Sequence, residues 1–261
     1  MTTPIPSSDS HFWRGRLKAS SIHFGISLVV AMLAAVLVFW LWYPYPYREI
    51  SSGRELFMLV VTVDVILGPL ITFAVFSHVK PWPVLRRDLA FVVTVQLCAV
   101  VYGLWTVCVA RPVHMVFEID RFSVVHAMDI PVDSLPKAPA DVEALPLTGP
   151  TLLSLRPFKN NAEKTDATLA ELQGLALAAR PDFWQSYAAG AADVLRAARP
   201  VRQLKERFPV QSPMLDDAIA KTGRKLEELV YVPLVGRKLF WTVLLDSKTA
   251  DVVGFVALDS F

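Results

Sequence analysis

Three long apolar runs dominate the first 110 residues of this 261-residue chain, and strand-like and helix-like periodicities replace them afterwards. The runs are residues 24–43 (FGISLVVAMLAAVLVFWLWY), 56–76 (LFMLVVTVDVILGPLITFAVF) and 89–110. Each has the roughly 20 apolar residues that a helix needs to cross the hydrocarbon core of a bilayer. The first run is too long for the core of a cleavable leader. It also ends in Trp40, Trp42, Tyr43 and Pro44 rather than at a small-residue cleavage site, so it reads as an uncleaved anchor. The predicted organisation is a polar tail over 1–23, a three-helix transmembrane region over 24–110 and an extramembrane domain over 111–261.

The patterns beyond residue 110 change period. Residues 113–127 (VHMVFEIDRFSVVHA) read as two short strands turning at Asp120-Arg121, which puts Met115, Phe117, Ile119, Phe122 and Val124 on one face. Residues 130–157 carry prolines at 131, 136, 139, 146, 150 and 157 and read as an extended connection. Leu169, Leu172, Leu175 and Ala179 form a helical stripe that Arg180-Pro181 closes. Trp184, Tyr187, Ala191, Val194 and Ala198 form a second, closed by Arg199-Pro200, and Val201, Leu204 and Phe208 a short third. Ser212 is placed as an N-cap with Pro213 after it, and Gly223 as the helix stop. Runs at 229–235, 239–246 and 252–258 read as strands, the middle one apolar on both faces and therefore central. The fold class predicted is a membrane protein: three transmembrane α-helices followed by an α+β extramembrane domain.

Composition narrows the class. The chain is 54% hydrophobic, too apolar for an ordinary soluble domain, and its net charge of +2 carries no signature of nucleic-acid binding. Arg14, Arg16 and Lys18 precede the first run, and Lys80, Arg86 and Arg87 lie between the second and third. The loop between the first two runs balances Arg48 and Arg54 with Glu49 and Glu55. The positive-inside rule then puts the N-terminus and the Lys80–Arg87 loop in the cytoplasm and the C-terminal domain in the periplasm of an inner membrane. Cys98 and Cys108, ten residues apart in one apolar run, stand about 15 Å apart on a helix and out of disulfide reach.

Asp64 is the exceptional position. A carboxylate at the centre of a spanning helix costs about 2.5–3.5 kcal/mol on insertion scales, so it needs compensation. Three readings are open: a hydrogen bond within this protein, for instance to Gln96 of the third run; a proton or ion relay; and a polar handle for another membrane helix. Gly68-Pro69, four and five residues later, predicts a kink. Asp64, Gly68, Pro69 and Gln96 are the candidate intramembrane contact residues.

Signals for catalysis are missing from the sequence. It holds no GxSxG, Walker A or GxGxxG pattern, no HExxH and no CxxC. His114 and His126 are predicted on opposite faces of the first hairpin, which argues against a shared metal with Glu118. The expectation is a non-enzymatic protein without a cofactor or a metal.

Six stretches together carry a resemblance: GRELF (53–57), VDVILGPLIT (63–72), RRDLA (86–90), ARPVHMVFEIDRF (110–122), LPLTGP (145–150) and WTVLLD with VVGFVALD (241–259). In order and in combination they are similar to the TfpX/TfpZ family of type IV pilin accessory proteins. The resemblance implies a small inner-membrane protein that accompanies a particular type IV major pilin and supports pilus assembly, with the lipid bilayer as its other partner and no catalytic residues to transfer. The alternative class is a membrane-anchored periplasmic ligand-binding or sensory protein. It is disfavoured because the parts assigned to the cytoplasm, a short tail and a twelve-residue loop over 77–88, cannot house an output domain.

Overall fold

The computed structural model describes residues 8–77 and 80–261. The N-terminal part runs α1 (Ser8–Val36), α2 (Tyr47–Ile50), α3 (Gly53–Thr62), α4 (Gly68–Val75) and α5 (Trp82–Val109). The chain forms two compact units. One gathers the helices up to Trp40 with Arg54–Cys108; the other joins Leu41–Gly53 to Val109–Phe261.

In the helical unit, α1 continues through a π-helical turn at Leu37–Trp42, and a second π turn at Val63–Leu67 joins α3 to α4. Among the described residues, three continuous helices are long and apolar enough to cross a membrane: Trp13–Trp42, Gly53–Val75 and Trp82–Val109. All three begin before the apolar runs that announce them. Arg and Lys are good helix formers with long stems, so the helix continues through Arg14, Arg16, Lys18, Arg86 and Arg87 although the hydrophobic signal does not. The second π turn has a local cause. Pro69 donates no N–H and its ring crowds the carbonyl of Val65, and the wider turn directly before it takes up that conflict.

The second unit is built on a mixed eight-stranded sheet. Its strands are β1 (Pro112–Glu118), β2 (Arg121–His126), β3 (Thr151–Leu155), β4 (Trp184–Ser186), β5 (Arg199–Pro200), β6 (Leu229–Val235), β7 (Phe240–Asp246) and β8 (Val252–Val256). They lie in the order β4-β3-β1-β2-β6-β7-β8, with β5 on β6. The β1/β3 and β2/β6 pairs are parallel and the other pairs antiparallel. Helices α6 (Asn161–Leu172), α7 (Tyr187–Ala197), α8 (Val201–Arg207) and α9 (Ser212–Thr222) complete it.

The last three strands fall where the apolar alternation puts them, and β7 is central, flanked by β6 and β8 and buried from Trp241 onward. Elsewhere the structure corrects the sequence reading. The first hairpin turns at Ile119-Asp120, one residue earlier than expected, pairing Phe117 with Phe122 and Glu118 with Arg121. Met115, Phe117, Phe122 and Val124 still share the core face, but Ile119 sits in the turn at φ 55 and is exposed. The Pro-rich connection contains a strand, β3, which adds in parallel to β1. Helix α6 starts earlier and stops at Leu172, so Leu169 and Leu172 are exposed and Ala167 is the buried contact. Trp184 belongs to β4, not to α7. Gln211, not Ser212, caps α9, while Gly223 closes it in the left-handed region at φ 67.

The core of this unit contains a piece from far upstream. Tyr47 and Ile50 of α2 pack with Met115, Phe122, Leu234, Trp241 and Val243, and Tyr43 is fully buried. The Tyr47 hydroxyl donates to Met115 Sδ at 3.4 Å, and the Gly149 N–H to the Leu41 carbonyl at 2.6 Å. Gly236 has no side chain for a reason: a Cβ there would stand 1.8 Å from Ile50 Cγ2. The segment between the first two long apolar helices is therefore part of the C-terminal fold rather than a solvated link.

Candidate functional site

The polar groups of the helical unit converge on one seam. On α1, Ser20, His23 and Ser27 recur at three and four residues and so share a helix face. On the second long apolar helix, Asp64, Gly68 and Thr72 recur at four. The Ser20 hydroxyl donates to the Pro69 carbonyl at 2.9 Å, and His23 Nδ1 meets Thr72 Oγ1 at 2.5 Å. Ser27 hydrogen-bonds the Asp64 carboxylate, and His23 stands within electrostatic reach of it.

Gln96 of α5 closes the seam. Its Nε2 donates to Asp64 Oδ1 at 3.2 Å and to the Asp64 backbone carbonyl at 3.3 Å. The carbonyl is accessible because the π turn releases it from the regular ladder. Gly68 makes the approach possible, since a Cβ at that position would lie 1.8 Å from Gln96 Nε2. All four residues singled out by sequence thus meet at one place, Asp64, Gly68 and Gln96 in direct contact and Pro69 as the cause of the turn and the acceptor for Ser20.

Sequence reading overlooked Ser20, His23, Ser27 and Thr72. Their signal was available: polar side chains on one helical stripe inside an otherwise apolar run, which a window average of hydropathy erases.

The seam is the floor of an open groove of about 470 Å³. Ile22, Ile26 and Val30 of α1 form one wall and Val93, Leu97 and Val100 of α5 the other, with Asp64, His23 and Thr72 at the base. A carboxylate offers about four acceptor positions. Ser27 and Gln96 take up part of that capacity. The groove therefore combines apolar walls with a polar floor.

The second unit holds buried polar groups with structural partners. His114 is fully buried, its Nδ1 2.6 Å from Thr151 Oγ1 and its Nε2 3.1 Å from the Ala144 carbonyl, and burial lowers its pKa to about 4. His126 Nδ1 faces Asp129 at 3.0 Å, and Arg237 bonds the same carboxylate at 2.8 Å. Arg156 and Arg180 stack on the Phe183 ring at 4.7 and 4.6 Å. Arg156 also grips Glu163 with both ends of its fork, holding that carboxyl down at about 2. Among the described residues no three His, Cys, Asp or Glu side chains stand close enough to share a metal ion.

Comparison with known proteins gives a consistent result. The family profile described as fimbrial assembly protein FimB matches residues 11–52. A fimbrial assembly protein of serogroup I from Dichelobacter nodosus is 36% identical over 246 residues, covering 94% of this chain and 95% of the relative. The serogroup E1 protein of the same organism is 35% identical over the same coverage. The protein of serogroups C1 and C2 is 41% identical over 121 residues, 46% of this chain and 92% of the relative. No solved structure matches the chain.

Proposed function

The chain belongs to the family of fimbrial assembly proteins, and from that premise we propose that it is a non-enzymatic inner-membrane factor that receives a type IV fimbrial subunit before polymerisation. In this reading the groove of the helical unit holds the subunit's membrane-resident helix, and the domain formed by Leu41–Gly53 with Val109–Phe261 meets its exported part. The accessory role matches what the TfpX/TfpZ resemblance implies. The observation that carries the proposal is the groove itself: apolar walls over a floor that holds Asp64, His23 and Thr72.

The packing of Leu41–Gly53 into the domain core supports the orientation. A segment and a domain that share one core lie on the same side of any membrane. The ends carrying Arg14, Lys18, Lys80, Arg86 and Arg87 then lie on the other side, which the positive-inside rule makes the cytoplasm. The domain is periplasmic in this arrangement.

The test is a photoactivatable residue at Leu97, inside the groove, and at Val101, which is exposed but not part of its lining. Adducts to the fimbrial subunit from position 97 and not from 101 are expected. Lipid adducts alone from both positions would count against the proposal. Asp64→Asn complements the experiment, because it keeps the shape of the side chain. Normal protein levels with lost surface fimbriae indicate a functional contact, and loss of the protein itself a purely structural one.

A further inference from the structure

A second groove of about 580 Å³ runs along a neighbouring face of α5, against α4, and meets the first only at Gln96. Its walls are apolar, from Ile71 and Val75 on one side and Phe91, Val92 and Val95 on the other. One end is charged, with Lys80, Arg87 and Asp88, and the other reaches Gln96. From Arg87 to Gln96 the helix rises about 14 Å. That is close to half of the roughly 30 Å hydrocarbon core, the depth of one leaflet.

The charged end is not self-satisfied. Lys80 Nζ spends one N–H on Asp88 Oδ2 at 2.8 Å and one on the Val75 carbonyl at 3.2 Å. An ammonium has three, so one remains for an outside acceptor. Arg87 is exposed at the mouth and has no ion-pair partner among the described residues. The Asp88 carboxylate cancels one of the two cations, which leaves a net positive mouth over an apolar trough.

We propose that this groove binds one anionic phospholipid, with its phosphate on Arg87 and Lys80 and an acyl chain along Val75, Phe91 and Val95. A free phosphate would use only the mouth and leave a leaflet-deep apolar wall without a role. The trough and the cations together fit a molecule that carries both chemistries, and basic pockets between spanning helices are established places for acidic headgroups. The proposal goes beyond fimbrial assembly. It needs only that α4 and α5 are in a bilayer.

The experiment uses the full chain in detergent micelles and native mass spectrometry, with phosphatidylglycerol and phosphatidylcholine added in parallel. Retention of phosphatidylglycerol about fivefold above phosphatidylcholine is expected, the value of one extra cationic contact near a membrane surface. Arg87→Gln removes that preference; Val95→Trp, which fills the trough, lowers retention of both lipids. Thermal unfolding of each variant checks that the fold is intact. Equal retention of the two lipids, an unchanged preference in Arg87→Gln, or displacement of the bound lipid by glycerol phosphate would overturn the proposal. None of these outcomes bears on crosslinking from Leu97, so the two ideas fail separately.

Discussion

Gln96 reaches across from α5 and gives both of its amide hydrogens to one residue, Asp64, one to the carboxylate at 3.2 Å and one to the backbone carbonyl at 3.3 Å. The carboxyl group is held by the neutral Gln96 amide and the Ser27 hydroxyl, with His23 within electrostatic reach. It stays polar at the base of an apolar groove, in a place where an Arg or Lys partner would have neutralised it.

Gly68 is the residue whose smallness permits this contact, and Gly68→Ala tests it. The added methyl would collide with the Gln96 amide, so the variant should lose about 1–3 kcal/mol of stability through overpacking. Gln96→Ala removes the collision. The double variant should therefore be more stable than the sum of the two single losses, with a coupling of about 0.5–3 kcal/mol. Thermal unfolding in detergent, followed by circular dichroism, reads all three; strict additivity would contradict the close approach.

The upstream segment in the domain core makes a second prediction. Ile50 is fully buried among residues more than sixty positions away, so Ile50→Ala should cost about 2–5 kcal/mol. A fragment starting at Val109 should be less stable than the same fragment fused through a short linker to Leu41–Gly53. Chemical denaturation of the two fragments decides it: coincident midpoints would show that the upstream segment contributes nothing.

Acid should weaken the domain through His114. Burial holds its folded pKa at about 4, below the ordinary value of 6.5, so the unfolded chain takes up a proton first as pH falls. Stability from this group is complete above pH 6.5 and declines toward pH 4. The whole step is about 3 kcal/mol if the depression is fully expressed. His114→Asn should flatten that part of the stability-against-pH curve, measured by urea unfolding between pH 4 and 7.5; an unchanged slope would assign it to other groups.

Sidedness gives a fourth prediction. With Cys98 and Cys108 replaced by Ser, single cysteines at Arg48 and Lys248 should react with a membrane-impermeant maleimide added to intact spheroplasts. A cysteine at Arg86 should react only after the membrane is opened. Reaction of Arg48 and Lys248 from different sides is incompatible with the shared core.

Parts of this architecture are plain in the sequence because burial there is local. The strand from Phe240 to Asp246 is apolar on both faces, and only a central position can cover both. Asp64 and Gly68-Pro69 stand out for a similar reason, each being costly where it is. The positions that escaped depend on partners distant in the chain. Nothing next to Tyr43, Tyr47 or Ile50 says that β1, β6 and β7 will close over them, and balanced charges around them suggest a solvated link. β3 is only Thr151–Leu155, with Pro150 before it and Pro157 shortly after, and it exists because β1 presents an edge to it. The stripe at Leu169 and Leu172 failed because α6 stops at Leu172 and buries the small Ala167 in their place. In α1, His23 and its serines were hidden by their apolar neighbours until Thr72 and Pro69 appeared opposite them.

The shared core of Leu41–Gly53 and Val109–Phe261 also sets an order of events at birth. The ribosome delivers the first of these pieces early, and it must wait without its surroundings while two more helices and the remaining chain follow. The domain cannot close until the final strands arrive. A truncated product would leave Tyr43, Tyr47 and Ile50 bare, an apolar flag by which quality-control proteases can tell an unfinished molecule from a finished one.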